Sequence, residues 1–113
     1  MPIPSDQLER ATRTLTVYCN DVPQDVRDQI RFGFRLEHNA IVLFESHPDF
    51  QDRTRWIDHP VAKFRFYASR GEWSLYWMDR NLKWRTYEWL APKRTFAPLL
   101  AEVERDPTCL FWG

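Results

Sequence analysis

The stretch Pro60–Trp89, PVAKFRFYASRGEWSLYWMDRNLKWRTYEW, decides the fold and holds four of the chain's six tryptophans. Side chains alternate between the two faces of a strand. From Val61 to Ala68, this sends Ala62, Phe64, Phe66 and Ala68 to one face and Lys63, Arg65 and Tyr67 to the other. A two-residue turn at Arg70-Gly71 predicts the pairs Ala68–Trp73, Phe66–Leu75 and Phe64–Trp77 on the apolar face. The same register predicts Tyr67–Ser74, Arg65–Tyr76 and Lys63–Met78 on the polar face. A second two-residue turn at Arg80-Asn81 predicts Trp77 opposite Trp84, Met78 opposite Lys83 and Tyr76 opposite Arg85. Glycine and asparagine accept the positive φ such turns need. The pattern therefore predicts three strands with the indoles beneath helices and the cations and phenols on the outer side. It is least regular at the end of the third strand, where Thr86 and Glu88 fall on the apolar face.

The remainder of the chain can cover such a sheet. One hundred and thirteen residues, 43% hydrophobic and 16% aromatic, suit a single domain spanning residues 1–113 with a core that needs no staples. Sixteen basic and sixteen acidic residues cancel, so no global charge draws the chain to nucleic acid or membrane. The charge is uneven along the chain: 7 − 10 = −3 over residues 1–59, 8 − 3 = +5 over 60–95 and 1 − 3 = −2 over 96–113. Cys19 and Cys109 lie far apart without metal-knuckle spacing, which predicts two free thiols in a reducing compartment. Met1-Pro2-Ile3-Pro4 lacks the features of a signal peptide. No apolar run approaches the roughly 20 residues a membrane span needs, so a cytoplasmic protein off the membrane is expected.

Ser5 or Asp6 is placed to cap a helix reaching about Cys19, with Leu8, Ala11, Leu15 and Tyr18 at helical spacing. Pro23 suits the start of a short second helix, PQDVRDQ, turning Val26 and Ile30 inward. Ile30 to Leu36 alternates, with Ile30, Phe32, Phe34 and Leu36 on one face and Arg31, Gly33 and Arg35 on the other. His38-Asn39 turns the chain into the apolar strand Ala40–Phe44, where an aromatic opposite Gly33 would explain the glycine. Residues 46–59 are polar and read as a long connection, a kind of loop that is often functional. Thr95 is placed to cap a last helix carrying Phe96, Leu99, Leu100 and Val103 inward, ended by Asp106-Pro107. The apolar tail Cys109–Gly113 is expected to dock on the sheet. The predicted class is α+β: an N-terminal helix, a short second helix, an antiparallel meander of about five strands, and a C-terminal helix on one sheet face.

PVAK (60–63), RGEWSLYW (70–77), LKWRTY (82–87), CLFWG (109–113) and FGFRLEHNAIVLFESHP (32–48) together resemble the short bacterial family of domains of unknown function numbered 3024. The resemblance covers nearly the whole chain. It implies a relative without an established activity, and so no mechanism. Where it implies a histidine two positions after Lys83, this chain has Arg85, which removes the imidazole that a metal or acid–base role would use there.

Two groups of residues invite chemistry. Lys63, Arg65, Tyr67, Tyr76, Lys83, Arg85 and Tyr87 all face outward in the expected register. Cations meet phosphates and rings stack on unpaired bases, so this mixture suits single-stranded nucleic acid. It also suits a solvated face held by cross-strand pairs, or a surface for a protein partner or homodimer. The second group, His47, Asp49, Asp58 and His59 in the 45–59 region, with His38, Glu45 and Asp52 nearby, offers oxygens and imidazoles to a divalent metal. That would suggest a metal-dependent phosphodiesterase or nuclease. Its spacing matches neither His-Glu-x-x-His nor a calcium loop. No Gly-x-Ser-x-Gly elbow, phosphate loop or cysteine–histidine pair is present, so no catalytic residue is assigned and no cofactor is implied. The sequence favours a non-enzymatic binding module over an enzyme.

Overall fold

A computed structural model describes residues 2–112. The chain runs α1 (Ser5–Asn20), a 3-10 turn (Gln24–Val26), β1 (Arg31–Glu37), β2 (Ala40–Pro48), β3 (Trp56–Tyr67), β4 (Glu72–Met78), β5 (Trp84–Thr86) and α2 (Ala97–Arg105). The five strands form one antiparallel meander in the order β1-β2-β3-β4-β5. The α+β class and the element order follow the sequence. Neither helix takes the expected side-chain cap: α1 starts on Pro4, whose carbonyl accepts from the Leu8 N–H, and α2 follows Phe96.

Both helices pack on the same side of the sheet. Ala11 and Leu15 of α1 and Leu99, Leu100 and Val103 of α2 join one core with Ile41, Leu43, Ala62, Phe64, Phe66, Trp73 and Leu75. Registers Ile41↔Phe64↔Leu75 and Phe66↔Trp73 put those strand residues on a single face. Fully burying each of the Leu, Ile, Val and Phe side chains among them contributes about 1.5–3 kcal/mol. Trp73 lies at the centre, edge-on to Phe66 and Phe96, with its indole N–H donating to Gln7 of α1 at 3.1 Å. The tail docks as expected through Trp112. Phe111 is buried, the Phe111 and Trp112 N–H groups donate to the Asp106 carboxylate, and Trp112 stands edge-on to Phe32. Gly113 lies outside the described residues.

Four further expectations are corrected. The second helix is a single 3-10 turn, because the Arg27 guanidinium donates back to the Val22 carbonyl at 2.9 Å and closes the segment; Val22, rather than Val26 or Ile30, is buried. Half of the supposed loop 46–59 is strand: β2 reaches Pro48, β3 begins at Trp56, and residues 49–55 connect them. Its polar residues still pair through the backbone, and the register shifts between Leu43 and Phe44, which leaves Val61 of the opposite strand unpaired beside Pro60. The β3–β4 connection is four residues, 68–71, with Gly71 at φ 62, so the register is Phe66↔Trp73 and Phe64↔Leu75. A slip of two preserves every face.

The fourth correction does not preserve faces. Asp79 accepts the Asn81 and Lys83 N–H groups, and Leu82 takes the left-handed conformation at φ 62, giving a three-residue turn. The register becomes Met78↔Trp84 and Tyr76↔Thr86, one residue from that expected. β5 is thereby inverted. Trp84 joins the outer face with Tyr76, Thr86 leaves the apolar side, and Tyr87 enters the core at 2% exposure.

Candidate binding face of the sheet

The outer face follows from the ladder. Arg35↔Val42, Val42↔Lys63, Lys63↔Tyr76 and Tyr76↔Thr86 form one row across all five strands. Glu37↔Ala40, Ala40↔Arg65 and Arg65↔Ser74 form the next. Ala40 and Val42 are buried although no helix covers them, so the long side chains around them lie over a small-residue floor. Gly33 sits opposite Phe44, as expected, and a Cβ there would come within 2.7 Å of that ring.

Lys63, Arg65, Tyr67 and Tyr76 are brought together as the sequence predicted. The Tyr67 and Tyr76 hydroxyls share a short hydrogen bond, and the Arg65 guanidinium lies 5.1 Å from the Tyr67 ring centre. The Tyr76 phenol titrates above its ordinary range, through burial first and the Tyr67 hydroxyl second, with Arg65 opposing. Glu37 holds Arg35 at 3.5 Å and Lys63 at 3.4 Å. The Arg65 Nε is buried and has no acceptor among the described residues.

Three predicted members do not belong. Lys83 lies exposed in the β4–β5 turn. Arg85 pairs across from Trp77, away from this face, and binds Asp79 at 2.7 Å, the contact that chiefly holds that carboxyl below its usual range. The Tyr87 hydroxyl donates to buried Glu102 of α2. In their place the face gains Trp84, whose ring lies 5.9 Å from the Lys63 ammonium, and Arg35. Farther along, the Arg31 guanidinium stacks 3.8 Å from the Trp56 ring centre. The alternation Arg31-Gly33-Arg35 carried this signal; what was missing was the pairing that aligns it with Lys63. At the β5 margin a cleft of about 430 Å3 is lined by Trp77, Trp84, Arg85, Thr86, Glu88 and Trp89.

The histidine–carboxylate group does not converge. The His47 and His59 rings stack at 4.7 Å with their planes near parallel, Asp49 turns to the Gln51 N–H at the hairpin tip, and Asp58 takes the Ser46 hydroxyl on the other face. Among the described residues no group of three or more histidines, cysteines or acids is arranged to hold a metal. Both cysteines are free thiols. No helix of the described residues is long and apolar enough to cross a membrane.

These features define an open-faced α+β domain: a five-stranded antiparallel meander with helices on one side and a basic, aromatic face on the other. The model of the family described as domain of unknown function (DUF3024) matches residues 3–113, and the chain belongs to that family. No curated protein and no solved structure matches it.

Proposed function

We propose that the uncovered sheet face is a binding surface whose chemistry fits single-stranded nucleic acid. Arg35, Lys63 and Arg65 take phosphates, and Trp84, Tyr67 and Tyr76 supply ring surface for bases. The observation that carries this reading is the cross-strand row Arg35–Val42–Lys63–Tyr76 with Arg65 and Tyr67 beside it, which gathers three cations and two phenols on the sheet face that no helix covers. The Glu37 pairs to Arg35 and Lys63 are half-exposed and contribute little, so phosphate can displace them. Stacking on aromatic rings accepts any base, which matches a face without a donor–acceptor code.

Fluorescence anisotropy with labelled single-stranded oligonucleotides across a salt series tests this. Binding that weakens as salt rises, is lost in Arg65→Glu and survives in Arg13→Glu on α1 is the expected result. An absent or salt-insensitive signal rejects the reading.

A further inference from the structure

The sheet has one long free edge among the described residues. β5 is three residues long, and the chain beyond it continues along β4, where Lys93 and Trp73 exchange backbone bonds at 2.7 and 3.0 Å. β1 runs seven residues at the other end and pairs only with β2. Natural sheets blunt such an edge, since its unpaired groups template another strand.

The direction of those groups follows from the β2–β3 ladder. The Phe66 N–H donates to the Asn39 carbonyl at 2.8 Å, so odd positions near the start of β2 turn toward β3, and Ala40, Val42 and Phe44 turn toward β1. Their partners Glu37, Arg35 and Gly33 bond inward. Phe32, Phe34 and Leu36 therefore present their N–H and C=O groups outward.

We propose that β1 pairs antiparallel with β1 of a second copy of this chain, about a two-fold axis at Phe34. The segment RFGFRLE is complementary to its own reverse. In this register Arg31 faces the partner's Glu37 and Glu37 faces the partner's Arg31. Leu36, an apolar side chain left 56% exposed in one chain, faces the partner's Phe32. Arg35 lies across from the partner's Gly33, which offers it room. The neighbouring two-fold registers that keep the faces matched are opposed by charge. A shift one way sets Arg31 against the partner's Arg35, and the other way sets Arg35 against its own copy; like charges directly opposite destabilise a pair. The axis stands perpendicular to the sheet, so two five-stranded sheets become one, with all helices on one side and both basic faces on the other. An edge of this length buries less than stable complexes do, so association is weak and concentration-dependent.

Sedimentation velocity over a wide concentration series reads the association, independently of any nucleic-acid binding. Wild type is expected to pass from monomer to dimer. Leu36→Pro, which removes an outward N–H that the single chain does not use, is expected to stay monomeric with an unchanged circular dichroism spectrum. A second test fixes the register. In a Cys19→Ser/Cys109→Ser background, Arg31→Cys chains mixed with Glu37→Cys chains are oxidised. Residues facing each other in such a non-hydrogen-bonded pair lie about 4.5 Å apart at Cα, within disulfide reach, so the disulfide forms between unlike chains and in neither variant alone. A wild-type monomer at every concentration, or a mixture without the unlike-chain disulfide, overturns the proposal.

Discussion

The Tyr87 hydroxyl donates to the Glu102 carboxylate at 2.7 Å, joining the residue just past β5 to the buried side of α2. Arg105 donates to the other oxygen, also at 2.7 Å. Tyr87→Phe removes one of the two donors to an acid that is 6% exposed. The expected loss is about 1–3 kcal/mol of stability, read by urea unfolding with an unchanged m-value. A neutral result would place Tyr87 on the outer face instead.

That bond marks the boundary of what the sequence disclosed. Period-two alternation sorted β3 and β4 correctly even though the turn between them was misjudged, because an error of two residues leaves each side chain on its own face. The single-residue difference in the next turn had no such protection, and it moved Trp84, Arg85 and Tyr87 together. Thr86 and Glu88 on the apolar side were the visible sign of the error. The β2–β3 hairpin was hidden for another reason: Ser46, His47, Asp58 and His59 are polar, so these paired segments carry no hydrophobic periodicity to announce them.

Gly33 was legible because a strand glycine signals close approach, and Phe44 is what approaches. Gly33→Ala forces the ring aside and is expected to cost about 1–3 kcal/mol. Phe44→Leu in the same chain should recover part of that loss, which a double-mutant cycle on thermal unfolding would show as coupling between the two sites.

Burial pushes the Tyr18 phenol from 10.0 to about 12 and the Cys19 thiol from 9.0 to about 11. Both groups hold their protons more tightly in the folded chain, so their contribution is complete below pH 9. It falls as pH rises toward 11 for the thiol and 12 for the phenol, where the unfolded chain has already released its protons. Denaturant midpoints should therefore decline through the alkaline range. Cys19→Ala should flatten the earlier part of that decline and Tyr18→Phe the later part. At neutral pH a thiol reagent should label exposed Cys109 well before Cys19.

If bases stack on the outer face, Trp84, which the Met78↔Trp84 register turns away from the core, carries part of the binding. Trp84→Ala is expected to weaken oligonucleotide binding by about 1–3 kcal/mol while leaving its salt slope nearly intact, since no phosphate contact is lost. Lys63→Ala should do the reverse, reducing the slope by about one. Equal slopes in all variants would show that Lys63 does not meet the backbone.

Leu82 holds the conformation that inverts β5. It sits at φ 62, where a Cβ is strained, and it is 76% exposed, so packing gives nothing back for that strain. Glycine adopts the same angle without penalty. Leu82→Gly is therefore expected to stabilise the fold by up to about 1 kcal/mol, net of the entropy a glycine adds to the unfolded chain. Leu82→Val, with a β-branched side chain at positive φ, should destabilise it instead. The two variants together test the turn: if it were the two-residue Arg80-Asn81 turn, position 82 would be ordinary strand, and glycine would be the harmful substitution and valine the favourable one.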